Sequence, residues 1–335
     1  MAQFNKIKVN FFQRRPRDGS NFSIEFIFED IRKRLENRIE SRVFISGYYN
    51  NGYISKFINI LEAAFRQGDD VNHITGETHF LDILMNKNKV ILTIHDCGMT
   101  GRKKGLAKKI VQWLYLSAPL KKARIVTTVS EATRQEVIRY SRCNPAKVHV
   151  IPVAISPLYK PFPKAFNQNH PEILHIGTGY NKNLFRLIEA LNGLMCHLTI
   201  IGQLSSEHEE ALQRNNIDYS NEYNIPAERM LEMYRSCDLL AFVSTSEGFG
   251  MPIVEANAVE RAVITSNLSS MPEIAADAAC LVNPFDVNDI RTGIVKLIND
   301  SEYRNQLLIN GRKNKLRFDA GKIADSYYEL YAKFR

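Results

Sequence analysis

Two glutamates, Glu247 and Glu255, lie eight positions apart on either side of a glycine-rich turn. An ionised carboxylate only accepts hydrogen bonds, so each of them suits the hydroxyl groups of a sugar or a ribose. Between them, Gly248 and Gly250 let the backbone approach a ligand closely. Free backbone N–H groups at the start of a helix favour an anion such as a diphosphate. These residue types and their spacing predict a site for a sugar joined to a phosphate.

A strand and a helix must position this turn. The apolar run 238–243 that precedes it is typical of a buried parallel strand. Pro252 stands where the first turn of a following helix is expected, a position that proline favours. Open α/β sheets bind ligands outside the carboxyl ends of their strands. The turn is therefore predicted to lie at the ligand-binding edge of such a sheet.

The run from Glu247 to Glu255 resembles the Glu-x7-Glu motif of the retaining glycosyltransferases of family 4, including its Glu-Gly-Phe-Gly-x-Pro core. The resemblance continues in the same order and spacing through four further segments, 255–258, 262–266, 271–274 and 283–286. It implies the α/β fold called GT-B, in which two Rossmann-like domains with parallel sheets face a central cleft. It also implies a C-terminal helix that crosses back to the first domain. Glu260 departs from the family, which favours glycine in the turn after the motif helix.

The pattern along the chain also favours two domains. The 335 residues exceed what one hydrophobic core usually holds. Short β-rich runs alternate with helical patterns on both sides of a proline-rich stretch, 152–163. We predict an N-terminal Rossmann-like domain at residues 1–153, with helix 320–335 packed on it, and a C-terminal Rossmann-like domain at residues 154–319. The resemblance assigns the acceptor to the first domain and the nucleotide-sugar donor to the second.

The resemblance also gives the motif residues their roles. Glu255 is expected to hold the ribose hydroxyls of the donor, and Glu247 a hydroxyl of the transferred sugar. The donor is expected to lie against the turn and the helix start, which are formed by Gly248, Phe249, Gly250 and Met251. The resemblance thus implies that Glu255 binds the nucleotide and Glu247 binds the transferred sugar.

A second loop, residues 177–183, follows a strand and opens a helix. Lys182 in this loop is predicted to contact the diphosphate, because a fixed cation acts where charge develops on a leaving group. An exposed lysine at a helix start is the alternative. The family usually has an arginine where this chain has Thr178, so one of two phosphate-binding cations is missing or comes from elsewhere.

Two positions in the first half resemble family site residues. His95 follows the strand 90–94 and resembles the first-domain histidine that contacts the transferred sugar; a structural histidine is the alternative. Gly19 lies in the first loop between strand and helix, where family members carry a glycine-rich turn beside the donor phosphates. A plain flexible loop is equally compatible with this single glycine.

Positive charge is concentrated in the first half of the chain. Residues 1–150 contain 26 Lys and Arg against 14 Asp and Glu, a net +12, whereas the whole chain carries +8. Such clusters favour an anionic partner. The stretch 101–116 mixes basic with apolar residues at helical spacing, which suits either an anionic membrane surface or a helix packed on the core. Nucleic acid is not expected, because no motif for binding it accompanies the charge.

Composition predicts a cytoplasmic protein, with peripheral contact at the membrane face left open. No apolar stretch approaches the ~18 residues needed to span a bilayer, and the first residues lack the long apolar region of a secretory signal. The five cysteines are scattered and odd in number, so neither a disulfide framework nor a zinc site is expected.

The resemblance implies transfer of a sugar from a nucleoside-diphosphate sugar to a hydroxyl of a glycan or lipid-linked acceptor, with retention at the anomeric carbon. It implies no metal or other cofactor, and the chain has no two aspartates at Asp-x-Asp spacing. Two alternatives stay open: a weakly active or non-catalytic GT-B partner protein that binds a nucleotide sugar, and a GT-B epimerase or phosphorylase. Donor base and sugar, acceptor, linkage and oligomeric state are open as well.

Overall fold

The computed structural model describes residues 5–15, 23–50, 52–98 and 113–335. The chain forms two compact units, one of residues 1–154 with 320–335 and the other of residues 155–319. The predicted boundary between the domains lies one residue earlier, after residue 153. Gly19, and residues 101–112 of the predicted basic amphipathic stretch, lie outside the described residues.

The first unit is built on a parallel sheet of six strands in the order β2-β1-β3-β4-β5-β6. Its strands are rich in valine, isoleucine and threonine, and the central ones are buried along their whole length, as expected for a sheet covered on both faces. The strands are β1 Ile7–Gln13, β2 Ile39–Ile45, β3 Val71–Ile74, β4 Val90–Ile94, β5 Ile125–Thr128 and β6 Val148–Val150.

Helices lie between these strands. The described α-helices are α1 Ser23–Arg34, α2 Tyr53–Phe65, α3 Ala118–Lys122 and α4 Glu131–Ser141. Helix α4 begins after Ser130, whose side chain accepts a hydrogen bond from the backbone N–H of Thr133 at 3.1 Å, so that the first turn is capped. Shorter helical turns are His79–Leu84, Lys87–Lys89, Trp113–Ser117 and Pro145–Lys147.

The second unit repeats the plan with a parallel sheet in the order β12-β11-β10-β7-β8-β9. The strands are β7 Glu172–Ile176, β8 His197–Ile201, β9 Asp218–Glu222, β10 Leu239–Phe242, β11 Ala262–Ser266 and β12 Cys280–Val282. The helices are α5 Leu184–Leu191, α6 Ser206–Arg214, α7 Ala227–Ser236, α8 Met251–Ala258, α9 Met271–Ala275, α10 Val287–Asn299 and α11 Ser301–Asn314, with short turns at Tyr180–Lys182 and Lys315–Phe318.

The strand order of this second sheet reverses between β7 and β10. From β7 the chain proceeds outward to β8 and β9, then returns to the other side of β7 as β10. Open α/β sheets bind ligands at such a switch point, outside the carboxyl ends of the two strands. The loops that leave β7 and β10 are therefore the segments placed to form a site.

The last helix, α12 Ala320–Ala332, belongs to the first unit. Its apolar side is buried, and the hydroxyl of Tyr331 lies 2.9 Å from Nδ1 of His73. On its outer side, Asp325 pairs with Arg38 at 2.5 Å. These contacts explain why residues distant in sequence share one unit.

Glu260, at the end of helix α8, has a φ of +62°, a conformation that glycine adopts most easily. This backbone requirement explains the family's preference for glycine here. In this chain Arg312 holds the glutamate with two hydrogen bonds, Nε–Oε1 at 2.9 Å and Nη2–Oε2 at 2.8 Å. The glutamate is thus held in a bidentate pair at a position where its backbone is unfavourable.

Among the helices of the described residues, none has the length and apolar character required to traverse a bilayer.

Candidate functional site

The two predicted loops lie side by side at the switch point of the second sheet. Residues 177–183 leave strand β7, and residues 243–250 leave its neighbour β10. The backbone N–H of Thr245 donates to the carbonyl of Asn181 at 2.8 Å and joins the loops. The predicted donor-binding residues of both loops are thus brought together by adjacent strands.

Lys182 and Glu247 form an ion pair across these loops. The Nζ of Lys182 lies 2.6 Å from Oε1 of Glu247, and both side chains are largely buried. The same ammonium lies 4.9 Å from the ring centroid of Phe242. Lys182 is therefore directed into the site by a carboxylate and an aromatic face, unlike an exposed lysine at a helix start.

Gly177 makes room for this lysine. It has a φ of +94°, and a Cβ atom built on it would lie 2.8 to 3.1 Å from three carbons of the Lys182 side chain. The two shorter distances, 2.8 and 2.9 Å, are too close for a real Cβ atom unless the lysine side chain moves. A glycine at this position thus serves both the turn and the path of the lysine across it.

Asn181 supports the glutamate from the same loop. Its Nδ2 donates to the carbonyl of Ser246 at 3.0 Å and to Oε1 of Glu247 at 3.3 Å. The Glu247 carboxylate oxygen that pairs with Lys182 therefore also accepts from a neutral amide. This arrangement fixes the orientation of the carboxylate.

Two serines hold the glycine-rich turn. The hydroxyl of Ser269 donates to the carbonyl of Glu247 at 2.7 Å, and that of Ser270 donates to the carbonyl of Phe249 at 2.7 Å. The Phe249 ring is buried and meets the ring of Phe318 edge to face, with centroids 5.5 Å apart. The turn is thereby held in place from its backbone and from its one large side chain.

Helix α8 begins at the end of this turn. Gly250 adopts a φ of +106° directly before the helix, and Met251 and Pro252 form its first turn. Pro252 has no N–H to leave unsatisfied at this position. The helix start therefore follows Glu247 by four residues, and the N-terminal end of a helix favours an anion.

Glu255 projects from α8 and is held by two tyrosines. Its Oε2 accepts a hydrogen bond from the hydroxyl of Tyr234 at 2.5 Å, and its carboxylate also accepts one from Tyr159. Burial raises the pKa of Glu255 above its ordinary value, while the two phenolic hydrogen bonds act to lower it. A carboxylate has about four lone-pair sites, so acceptor capacity remains for a ligand.

Thr178 occupies the place where an arginine was expected. Its hydroxyl donates to the carbonyl of Gln203 at 2.7 Å, and its side chain packs against Gly202, whose φ is +146°. The residue therefore ties the loop after β7 to the loop after β8. Its side chain supplies no positive charge for a phosphate.

His95 lies in the first unit, directly after strand β4. Its Nε2 is 2.8 Å from the carbonyl oxygen of Thr75. A carbonyl only accepts, so the ring proton is on Nε2 and Nδ1 is an acceptor. Burial lowers the pKa of His95, which favours this neutral form. Gly76 permits the close packing, since a Cβ there would lie 2.7 Å from Cδ2 of the imidazole.

The surroundings of His95 form a small pocket within the first unit, and its lining includes Glu77, His79 and Asp96. These are the groups that would face a polar ligand. Gly19, which was predicted to lie near the same ligand, is outside the described residues.

Two family models match the sequence over nearly its whole length. The model for glycosyl transferases group 1 matches residues 160–314, which contain the site just described. The model for glycosyltransferase family 4 matches residues 16–157. The chain belongs to the family-4 glycosyltransferases of the GT-B fold. The membership of family 4 that the Glu247–Glu255 motif indicated is confirmed, whereas retention at the anomeric carbon stays a prediction.

Similar proteins agree with this assignment of the family-4 chain. An uncharacterised glycosyltransferase of Methanocaldococcus jannaschii is 28% identical over 182 residues, which are 50% of this chain and 52% of the relative. The O-antigen chain mannosyltransferase B of Escherichia coli is 25% identical over 241 residues, 64% of this chain and 63% of the relative. The chain thus matches less than two thirds of the length of these relatives.

Solved structures confirm the fold of the family-4 chain. The Anabaena protein HepE, solved in complex with UDP and glucose, has a TM-score of 0.77 and 16% identity, and the match covers 97% of this chain and 99% of HepE. The predicted fold class, α/β with two parallel Rossmann-like sheets, is confirmed.

Several groups around the candidate site of this family-4 chain were missed by the sequence interpretation. They are Tyr159, Asn181, Tyr234, Ser269 and Ser270. Asn181 carried a signal, because it adjoins Lys182 in the same loop. The others carried none, since hydroxyl groups are common in loops and helices and only the fold brings these to the glutamates.

Proposed function

We propose that this protein transfers a sugar from a nucleoside-diphosphate sugar to a hydroxyl group of a glycan or lipid-linked acceptor, with retention and without a metal ion. The observation that carries the proposal is the pairing of Lys182 with Glu247 at 2.6 Å, at the sheet's switch point and beside the start of α8. A cation, a sugar-binding carboxylate and the start of a helix are thereby concentrated where a diphosphate sugar fits.

In this proposal Lys182 neutralises the leaving group. The bond between the anomeric carbon and the diphosphate breaks, and a bond from that carbon to the acceptor oxygen forms on the same face. The acceptor proton passes to an oxygen of the departing diphosphate. Negative charge on the diphosphate grows along this path, so the fixed ammonium of Lys182 and the positive end of the α8 dipole stabilise the transition state more than the ground state.

The two glutamates bind the donor at its ends. Glu247 accepts from a hydroxyl of the transferred sugar, and its contact with Lys182 brings that sugar close to the diphosphate. Glu255 accepts from the ribose hydroxyls with the lone pairs that Tyr234 and Tyr159 leave available. His95, with an acceptor at Nδ1, is proposed to accept from a sugar hydroxyl, the role that the family resemblance implies for it.

Mannose is the transferred sugar that we test first. The relative from Escherichia coli is named as an O-antigen chain mannosyltransferase, and this suggests both a mannosyl donor and an acceptor in the synthesis of a cell-surface polysaccharide. HepE was solved with UDP, so a uridine nucleotide belongs in the same test.

The test combines a donor panel with product analysis. Uridine, guanosine, adenosine and thymidine diphosphate sugars, with mannose and glucose among the sugars, are incubated with the protein and with methyl glycosides or a bacterial polar lipid extract. We expect release of one nucleoside diphosphate together with a new glycoside of the same anomeric configuration as the donor. A nucleotide sugar that binds without acceptor-dependent release would favour the alternative of a non-catalytic partner protein and contradict the proposal.

Lys182→Met and Lys313→Met provide a matched pair for this assay. Lys313 is an exposed lysine on α11 and belongs to neither loop. We expect acceptor-dependent release to be lost in the first variant and kept in the second. Equal rates in the two variants would contradict the assignment of the site.

A further inference from the structure

Helix α2 presents an apolar side to solvent. Three of its large side chains are mostly exposed: Ile54 at 78%, Phe57 at 58% and Phe65 at 87%. They share one side of the helix with two further apolar residues, because the positions follow helical spacing. The complete stripe is Ile54, Phe57, Ile58, Leu61 and Phe65.

The stripe contains no charged or polar residue. Asn59, Ile60 and Ala63 face the unit and are buried. Helical spacing places Lys56 on the buried side and Glu62 at the edge of the stripe, next to Ile58 and Phe65, so charges flank the stripe without interrupting it. A surface helix normally shows the opposite arrangement, and a contiguous exposed apolar surface marks an interaction site.

Aromatic residues extend the stripe at its N-terminal end. Tyr53 starts the helix and is exposed, and the loop before it exposes Tyr48 and Tyr49. Asn59 attaches this loop to the helix, since it accepts from the N–H of Tyr48 at 3.1 Å and donates to its carbonyl at 2.9 Å. The stripe with these three tyrosines is called the α2 surface below.

Cations border the α2 surface and lie against its rings. The guanidinium of Arg15 is 4.9 Å from the ring centroid of Tyr49, and Nζ of Lys56 is 5.8 Å from that of Tyr53. Arg66 lies over the neighbouring ring of Phe44 at 5.6 Å and pairs with Glu62 at 2.9 Å, so Arg15 and Lys56 supply the net positive charge of the border. Aliphatic and phenylalanine side chains bordered by tyrosines and basic residues match the zones of a bilayer interface, with acyl chains below and anionic head groups above.

We propose that the α2 surface docks on an anionic lipid bilayer, with its apolar stripe in the acyl boundary and its basic border at the head-group phosphates. Charge favours a bilayer over a second copy of this chain. In a two-fold contact the same patch faces itself, which would bring the basic borders of both copies together. The surface would carry the enzyme to a lipid-linked acceptor, and in that respect the proposal rests on the proposed function.

Binding to vesicles tests the proposal without donor or acceptor, so the outcome does not depend on transferase activity. Full-length protein is sedimented with vesicles of phosphatidylcholine containing phosphatidylglycerol and with vesicles of phosphatidylcholine alone. Phe57→Glu places a charge in the stripe. Met195→Glu is the matched control, because Met195 is an exposed apolar residue of the second unit.

We expect the wild type and Met195→Glu to bind the anionic vesicles. Phe57→Glu should bind them at least about tenfold more weakly, because one large side chain no longer leaves water when the protein binds. Phe57→Ala, which adds no charge to an exposed position, should weaken binding to a smaller extent. Circular dichroism confirms that each variant is folded.

Three results would overturn the proposal. Wild-type binding in Phe57→Glu would show that the α2 surface is not the contact, and equal binding to both kinds of vesicle would show that anionic lipid is not the partner. Absence of vesicle binding, together with a dimer that Phe57→Glu dissociates in sedimentation equilibrium, would assign the surface to a second copy of the chain.

Discussion

The hydroxyl of Tyr234 donates a hydrogen bond to the Oε2 of Glu255 at 2.5 Å. Tyr159 supplies a second hydrogen bond to the same carboxylate, and the two tyrosine rings meet edge to face with centroids 5.5 Å apart. The proposed ribose-binding glutamate is thus oriented by two phenols. Helix α7 contributes Tyr234, and the proline-rich stretch 152–163 contributes Tyr159.

Removal of the Tyr234 hydroxyl should weaken nucleotide binding. In Tyr234→Phe the ring stays in the core, whereas one hydrogen bond that orients Glu255 is lost. We expect the dissociation constant of the preferred nucleoside diphosphate to rise about three- to tenfold, which corresponds to roughly 1 kcal/mol. Isothermal titration calorimetry measures it.

Tyr303→Phe is the control, because its phenol interacts with Cys280 and not with Glu255. Binding of the 2′-deoxy nucleotide separates orientation of Glu255 from general damage. The wild type should prefer the ribonucleotide, and Tyr234→Phe should prefer it less. An unchanged preference would count against a positioning role for Tyr234.

As the pH falls, nucleotide binding should be lost at a higher pH than it would be if Glu255 had the pKa of an ordinary glutamate. Glu255 must be ionised to accept from the ribose on all its lone pairs, and burial raises its pKa. Binding is therefore complete above that raised pKa and is lost as the pH falls through it. In Tyr234→Phe a hydrogen bond that lowers the pKa is gone, so the acid limb should move further upward. Titration calorimetry across pH measures both curves, and coincident curves would contradict the assignment.

Glu255→Gln should separate stability from binding. A carboxyl group whose pKa is raised by folding binds protons more tightly in the folded state than in the unfolded state, so its ionisation lowers the free energy of unfolding as the pH rises. The neutral amide avoids this cost. We expect Glu255→Gln to unfold at a higher temperature than the wild type at neutral pH while binding nucleotide about tenfold more weakly. Loss of stability with wild-type binding would contradict both parts.

Gly177→Ala should disturb Lys182 as well as the backbone. Gly193 provides the control, since it also has a positive φ, +73°, but a Cβ there would meet no atom within 4 Å. Each substitution should cost about 1 kcal/mol or more for the backbone conformation alone. Gly177→Ala should in addition lower the rate of transfer, because its Cβ would displace the lysine. Thermal unfolding and nucleotide release compare the pair, and equal rates in both variants would argue against this reading of Gly177.

The ion pair between Lys182 and Glu247 should be visible in a double-mutant cycle. Lys182→Met leaves a largely buried carboxylate without its cation and should destabilise the second unit. Adding Glu247→Gln removes that unpaired charge and should restore part of the loss. A coupling of about 0.5–3 kcal/mol from chemical denaturation is expected for groups in contact. Additive effects would show that the pair does not persist in solution.

The motif predicted the location of this site because the local sequence determines it. The apolar run before Glu247 forms strand β10, Pro252 lies in the first turn of α8, and Gly250 adopts a backbone torsion that other residues resist. The loop containing Lys182 was found for the same reason. Parallel strands of a Rossmann-like sheet end at the same edge, so the loops that leave the neighbouring strands β7 and β10 lie side by side there.

Contacts between distant segments could not be predicted in this way. Tyr234 and Glu255 are 21 residues apart, and Ser269 reaches back 22 residues to Glu247. These pairs depend on how helices lie across the sheet, and many residue types would fit such positions. The apolar side of α2 was missed because its pattern is the one that a buried helix would also show.

Thr178, at the position where the family usually has an arginine, has a structural role instead of a phosphate-binding one. Thr178 joins the loops after β7 and β8 through Gln203, and so performs a local structural task at that position. In our proposal the growing charge on the diphosphate is then borne by Lys182 and the positive end of the α8 dipole. The contribution of Lys182 should accordingly be large.

The rate of donor cleavage in Lys182→Met tests this account most directly. With the donor and acceptor identified by the panel, single-turnover release of nucleoside diphosphate is compared among the wild type, Lys182→Met and Lys313→Met, and donor binding is measured alongside. We predict that kcat falls by about 10² to 10³ in Lys182→Met, the loss typical of one group that stabilises transition-state charge, while donor affinity changes only a few-fold. A folded Lys182→Met protein that releases nucleotide at the wild-type rate would contradict the account.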